Sequence, residues 1–174
     1  MNPTRGLVHA LLLPVLALGT AACGYTAGSG LHQKGIRTVF VEVAGNDTFR
    51  QRLEVELNDA LARELAATSD LLPAGRREAD AVLELRLGEA SEQTLVYGDR
   101  GVQGSLDGPT REGGLVATVH MRLVDRRTGK TVVERRIVDR AEFRSPLGED
   151  LTSANRELAR DLARKVALAL ADGF

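Results

Sequence analysis

Leu115-Val116-Ala117-Thr118-Val119-His120-Met121-Arg122-Leu123-Val124-Asp125-Arg126-Arg127-Thr128-Gly129-Lys130-Thr131-Val132-Val133-Glu134-Arg135-Arg136-Ile137-Val138-Asp139 is the stretch on which the fold turns. Residues 115 to 124 alternate, placing Leu115, Ala117, Val119, Met121 and Leu123 on one side. That period of two marks a strand with one buried face. Asp125 to Lys130 reads as a hairpin turn, with Gly129 suited to the left-handed position of a bulged loop. Thr131 to Asp139 is the returning strand. Two antiparallel strands with one apolar face are not stable alone, so other segments must cover that face.

Two segments have the required pattern. Between Phe49 and Ala67 the period becomes helical, with Leu53, Leu57, Leu61 and Leu65 four residues apart and Ala62 and Ala66 beside them. Thr48 with Gln51 reads as a capping box for this helix. A second stripe, Leu158, Leu162, Val166 and Leu170, lies in a helix opening at Thr152-Ser153, running to Ala171 and capped by Gly173. Ile36 to Val43 and Asp80 to Leu87 alternate as strands, and the second can resume through Thr94 to Tyr97. Ala44 to Asp47 reads as a turn and residues 68 to 79 as a connection. Gly98 to Gly114, rich in glycine and holding Pro109, reads as a long loop. The order is β-α-β-β-β-α. The expected fold is an α/β two-layer sandwich, with a four-stranded, mixed and mostly antiparallel sheet carrying two helices on one face.

The start of the chain is of another kind. Arg5 precedes an apolar run from Leu7 to Leu18, interrupted by Pro14, and small residues lead to Cys23. This reads as a secretory signal, too short to span a bilayer. With cysteine directly after Ala21-Ala22, it resembles a bacterial lipobox. Residues 1–22 are therefore expected to be a lipoprotein signal peptide. Residues 23–35 are expected to be a flexible tether lipidated at Cys23, and residues 36–174 a single domain. Cys23 is the only cysteine, so the domain must stand without disulfides.

Composition narrows the function classes. Basic and acidic side chains number 23 and 24, so no net positive charge argues for nucleic acid. With four Phe, two Tyr and no Trp, no stacking platform is expected either. Gly129-Lys130-Thr131 has the end of a phosphate-binding loop, but Val124 stands where its first glycine belongs and the context is a hairpin. His9, His32 and His120 fall in the signal, the tether and a strand, with no metal-ligand spacing. Carboxylates on the last helix have cations three or four residues away (Glu157 with Arg160, Asp161 with Arg164 and Lys165), as on a solvated face. No nucleophile has a base and an orienting partner. No enzyme, cofactor or metal is expected. Arginines do gather near strand ends: Arg100 and Arg111 in the long loop, Arg126 and Arg127 with Lys130 at the hairpin, Arg140 and Arg144 after the last strand. Such clusters either pair with phosphates or form mixed solvated surface, and the sequence leaves both open.

Several segments together resemble one family. Cys23-Gly24-Tyr25, Thr38-Val39-Phe40-Val41, Asn46-Asp47-Thr48-Phe49-Arg50, Leu53-Glu54, Leu57, and Ala60-Leu61-Ala62-Arg63-Glu64-Leu65 are similar to the LptE family of lipopolysaccharide-assembly lipoproteins. The likeness continues through Ala79-Asp80-Ala81-Val82-Leu83, Val119 to Thr131, Leu158-Ala159 and Val166. The resemblance implies a protein lipid-anchored in the outer membrane. It would plug a large LptD-like β-barrel, help it fold, and bind lipopolysaccharide through basic residues near strand ends. Arg100 and Arg144 correspond by position to such residues, with Arg111 the alternative because the Gly98–Gly114 loop is longer here. Gly24 after the acylated cysteine is compatible with outer-membrane sorting. The rival reading is a lipoprotein accessory of another envelope machine, either a peptidoglycan-synthase activator or a transporter auxiliary subunit, since one fold serves many functions.

Overall fold

A computed structural model describes residues 30–47, 53–97 and 110–171. In chain order the elements are α1 (Gly30–Gln33), β1 (Thr38–Asn46), α2 (Leu53–Thr68), β2 (Leu72–Pro73), β3 (Ala81–Tyr97), β4 (Thr110–Asp125), β5 (Thr131–Arg144) and α3 (Leu151–Ala171). A 3₁₀ turn, Ser145–Leu147, joins β5 to α3.

The five strands form one sheet in the order β2-β1-β3-β4-β5. β1 is parallel to both β2 and β3, whereas β4 is antiparallel to both β3 and β5. The α/β two-layer design and the mixed sheet match expectation; the strand count does not. Leu72 and Pro73, read as connection, add a fifth, two-residue strand to the edge of β1, closed by Leu72 N–H to the Arg37 carbonyl and Ala74 N–H to the Val39 carbonyl. Pro73 has no N–H to donate, a residue suited to an edge and silent in any alternation pattern.

The core lies between one sheet face and the two long helices. Val39, Ala81, Leu83, Leu85, Leu87, Leu115, Ala117, Val119, Met121 and Leu123 are all buried, as the alternation requires. Opposite them are Leu53, Leu57, Leu61 and Leu65 of α2 and Leu158, Leu162, Val166 and Leu170 of α3. Alanines 154, 159, 163 and 167 are buried beside that second stripe. Their small side chains widen the apolar face of α3, which packs on both α2 and the sheet.

Caps and turns use short polar side chains. Asp150 and Ser153 cap α3 reciprocally: Ser153 N–H donates to Asp150 Oδ1 at 2.8 Å and Asp150 N–H to Ser153 Oγ at 3.0 Å. At the hairpin, Asp125 accepts from Arg127 N–H (2.8 Å), Thr128 Oγ1 (2.9 Å) and Thr128 N–H (3.3 Å), while Gly129 takes φ +68°. The capping pair expected at Thr48 and Gln51, and the cap expected at Gly173, lie outside the described residues.

Asp80 ties the starts of β1 and β3 together. Its Oδ2 accepts from Arg37 N–H and Thr38 N–H, both at 2.9 Å, and from Thr38 Oγ1 at 2.8 Å. Those donors, the Arg37 amide first, hold its carboxyl below the ordinary aspartate value of 3.8. A pKa depressed in the folded state stabilises fully above the unfolded value, and that stabilisation is lost as pH falls through the folded one. Asp80→Asn should therefore lower stability at neutral pH and narrow its difference from the parent below about pH 4, checked by urea midpoints across pH. A difference that persists unchanged at low pH would contradict this role.

Two further expectations meet the structure at segment ends. Gly30–Gln33 is a helical turn with Leu31 buried, so the tether's last residues pack against the domain. Thr110 to Gly114, expected in the long loop, belong to β4, with Gly113 paired to Thr94 and Gly114 to Gln93. Glycine is a turn signal in sequence, but at Gly113 it serves packing. An added Cβ would collide with the Phe143 ring from β5. Residues 98–109 lie outside the described residues.

Candidate functional site

The sheet has two ends and one open face, each with its own charge pattern. On the open face, register brings Glu42, Glu84, Arg122 and Glu134 into one row across β1, β3, β4 and β5. Arg122 Nη2 lies 2.6 Å from Glu84 Oε2, and Arg76 Nη2 lies 3.1 Å from Glu42 Oε2. Arg86 grips both oxygens of Asp47, at 2.7 and 3.0 Å, which depresses the Asp47 pKa and raises that of Arg86. These pairs are solvent-exposed and contribute little stability singly. What they supply is a face that is charged yet internally paired.

The candidate binding end lies where β5 stops. Arg144 faces Glu112 of β4 in register, with Nε 3.8 Å from Glu112 Oε1 and both side chains about half exposed. That separation is an ion pair without a hydrogen bond, so the guanidinium keeps donors for another partner. The Arg144 backbone is firmly held: its N–H donates to Glu149 Oε2 at 2.8 Å, and its carbonyl accepts from Glu149 N–H. Gly148, at φ +77°, makes the reversal into α3. Arg140 and Arg144 share a depression with Glu142, Glu149 and Glu157, and Arg140 pairs with Glu142 at 3.0 Å.

Arg144 is therefore a positioned, half-exposed cation among carboxylates. Of the other sequence candidates, Arg111 stands on β4 one position before Glu112, so the register brings Arg111 and Arg144 to neighbouring strand ends. Arg100 and Cys23 lie outside the described residues. Arg126, Arg127 and Lys130 sit at the opposite end of β4. The sequence reading missed the carboxylate partners of Arg144, because Glu112 is distant in the chain and only the β4–β5 register places it there. No signal short of that register would have found it.

Among the described residues, no group of three or more His, Cys, Asp or Glu side chains is arranged to hold a metal ion. His120 is exposed on the open sheet face, and His32 sits against Asp70 at 3.4 Å. No described helix is long and apolar enough to cross a membrane.

The lipopolysaccharide-assembly model LptE matches residues 36–170. No curated protein matches the chain. Among solved structures, PelC of Paraburkholderia phytofirmans, a dodecamer, aligns at TM-score 0.53 with 18% identity, over 78% of this chain and 88% of that one. A protein from Xanthomonas campestris aligns at 0.52 with 8% identity, over 78% and 83%. A minor lipoprotein from Acinetobacter baumannii aligns at 0.47 with 14% identity, over 77% and 91%. At these identities the first two likenesses establish a shared fold and no more.

Proposed function

The chain belongs to the LptE family of lipopolysaccharide-assembly proteins, and from that membership we propose an outer-membrane lipoprotein, acylated at Cys23, that plugs and helps assemble a large LptD-like β-barrel and binds lipopolysaccharide during its delivery. One observation carries the reading: the family match spans residues 36–170, from the start of β1 almost to the end of α3. The physics is compatible. The lumen of an outer-membrane barrel is polar, and the open sheet face is a rigid surface of paired charges rather than an apolar patch. A non-catalytic role belongs to the same proposal.

Lipopolysaccharide carries phosphates, for which arginine is the apt ligand. Arg144 is the described candidate, with Arg100 and Arg111 its proposed partners. Arg144→Asp should weaken binding to immobilised lipopolysaccharide roughly ten-fold, by loss of charge-assisted hydrogen bonds, and leave the melting transition in place. Glu112→Gln, which removes the competing carboxylate, should leave binding intact or tighten it. Unchanged binding in a folded Arg100→Asp/Arg144→Asp variant would refute the site. Solubilised from membranes, the tagged protein should bring down a very large β-barrel; recovery of a synthase or an inner-membrane transporter instead would overturn the function.

A further inference from the structure

The opposite end of the sheet carries a charge pattern that lipopolysaccharide binding leaves unused. Lys34, Ala79, Asp80, Asp125, Arg126 and Arg127 line one depression there. Lys34, Arg37, Arg77, Arg126, Arg127 and Lys130 are all exposed at this end. Their acidic neighbours are Asp70, Glu78, Asp80 and Asp125. Asp80 accepts from backbone amides, Asp125 accepts from backbone amides and Thr128 while lying 3.9 Å from Arg127 Nη2, and Asp70 sits against His32. The excess is positive, on a chain whose net charge is −1. The cluster is also preorganised. Arg126 donates to the carbonyls of Arg77 (3.0 Å) and Ala79 (2.8 Å), its N–H reaches the Asp80 carbonyl, and the Asp125–Gly129 turn fixes the hairpin.

Chain entry falls at the same place. The first described residue is Gly30, Leu31 is buried next to it, and the buried Ile36 lines this depression. Gly30 is seven residues after Cys23, a reach of at most about 25 Å. Arg144 pairs with Glu112, thirteen residues along β4 from Asp125, which places it roughly 43 Å away. An anchor at Cys23 thus holds the basic end within reach of the lipid surface and leaves the other end out of reach.

We infer that the basic hairpin end docks electrostatically on an anionic phospholipid surface, which holds this end of the tethered domain against the bilayer. The tethering rests on the acylation proposed above; the surface itself does not. The chain from residue 23 on, which holds every described element, tests the surface when Cys23→Ser removes the acyl site. It should co-sediment with phosphatidylcholine vesicles containing about one-third phosphatidylglycerol, but not with phosphatidylcholine alone. Raising salt to about 0.5 M should release it. Each cation at such a surface contributes about five-fold in partitioning, so Arg127→Glu/Lys130→Glu should weaken binding at least about twenty-five-fold. Arg144→Glu should leave it unchanged. No binding, equal binding to neutral vesicles, or an equal loss in Arg144→Glu would overturn the inference. Displacement by inorganic phosphate at constant ionic strength would overturn it too, since that marks a small-anion pocket. Acylation is read separately, from the mass of the mature full chain and its flotation with neutral vesicles, so one proposal can fail without the other.

Discussion

Leu162→Asp is expected to abolish cooperative folding. Leu162 is fully buried on α3, in the layer that faces both α2 and the sheet. Aspartate there either stays ionised without a partner or is neutralised at a large shift in pKa, and it also empties volume that leucine filled. Removing the side chain alone, as Leu162→Ala, should cost about 2–5 kcal/mol. The charge adds a cost comparable with the whole stability of a domain, about 5–15 kcal/mol. Leu57→Asp, fully buried on α2, should behave the same way. Leu168→Asp and Val55→Asp are the controls, because Leu168 is 39% and Val55 55% exposed on the same helices. They should stay within about 0.5 kcal/mol of the parent. The check is thermal and urea unfolding followed by circular dichroism. A sharp, parent-like transition in Leu162→Asp would reverse the assignment of helix faces.

Gly113→Ala should be the most damaging single-methyl change in the sheet. Gly113 sits on the β4–β5 ladder directly opposite Phe143, whose ring occupies the space a Cβ would need. Phe143 is 6% exposed and belongs to the core, so the ring cannot swing into water without loss. Overpacking at such a site costs about 1–3 kcal/mol. Phe143→Ala should cost about 3–5 kcal/mol by opening a cavity. The two effects are not independent, because the clash requires the ring. In the Phe143→Ala background, Gly113→Ala should cost close to nothing, and the double-mutant cycle should return a coupling above about 1 kcal/mol. Additive urea midpoints would mean that the ring is not what excludes the methyl. Because this pair adjoins Glu112 and Arg144, a disturbed ladder should also weaken the lipopolysaccharide binding proposed for that strand end.

Much of the architecture was legible from periodicity alone. The alternation in Leu115 to Leu123 and Ala81 to Leu87 places the buried face on residues that the structure buries without exception. The leucine stripes of α2 and α3 are equally plain. Local chemistry was harder where one residue type has two uses. Glycine at 113 signalled a loop, yet the ladder runs through it because Phe143 needs the room. Thr152 and Ser153 signalled the start of α3, yet the cap is Asp150, with Ser153 answering it from inside the helix. Two residues of β2 pair only because the chain returns beside β1, and no two-residue run announces itself.

The candidate site divides the same way. The sequence marks Arg126, Arg127 and Lys130 as a cluster at a turn, and it sets Arg140 and Arg144 beyond a strand ending at Asp139, whereas the ladder with β4 carries β5 on to Arg144. By itself, the sequence determined the layers, the buried faces and the residue types at the strand ends, because these follow from spacing along one chain. Only the tertiary structure decided which ends meet. Cross-strand register set Arg144 against Glu112, and the parallel return of β3 beside β1 brought Lys34 to Arg126 and Arg127. Both depend on contacts between residues far apart in sequence, and side-chain periodicity carries no information about those distances.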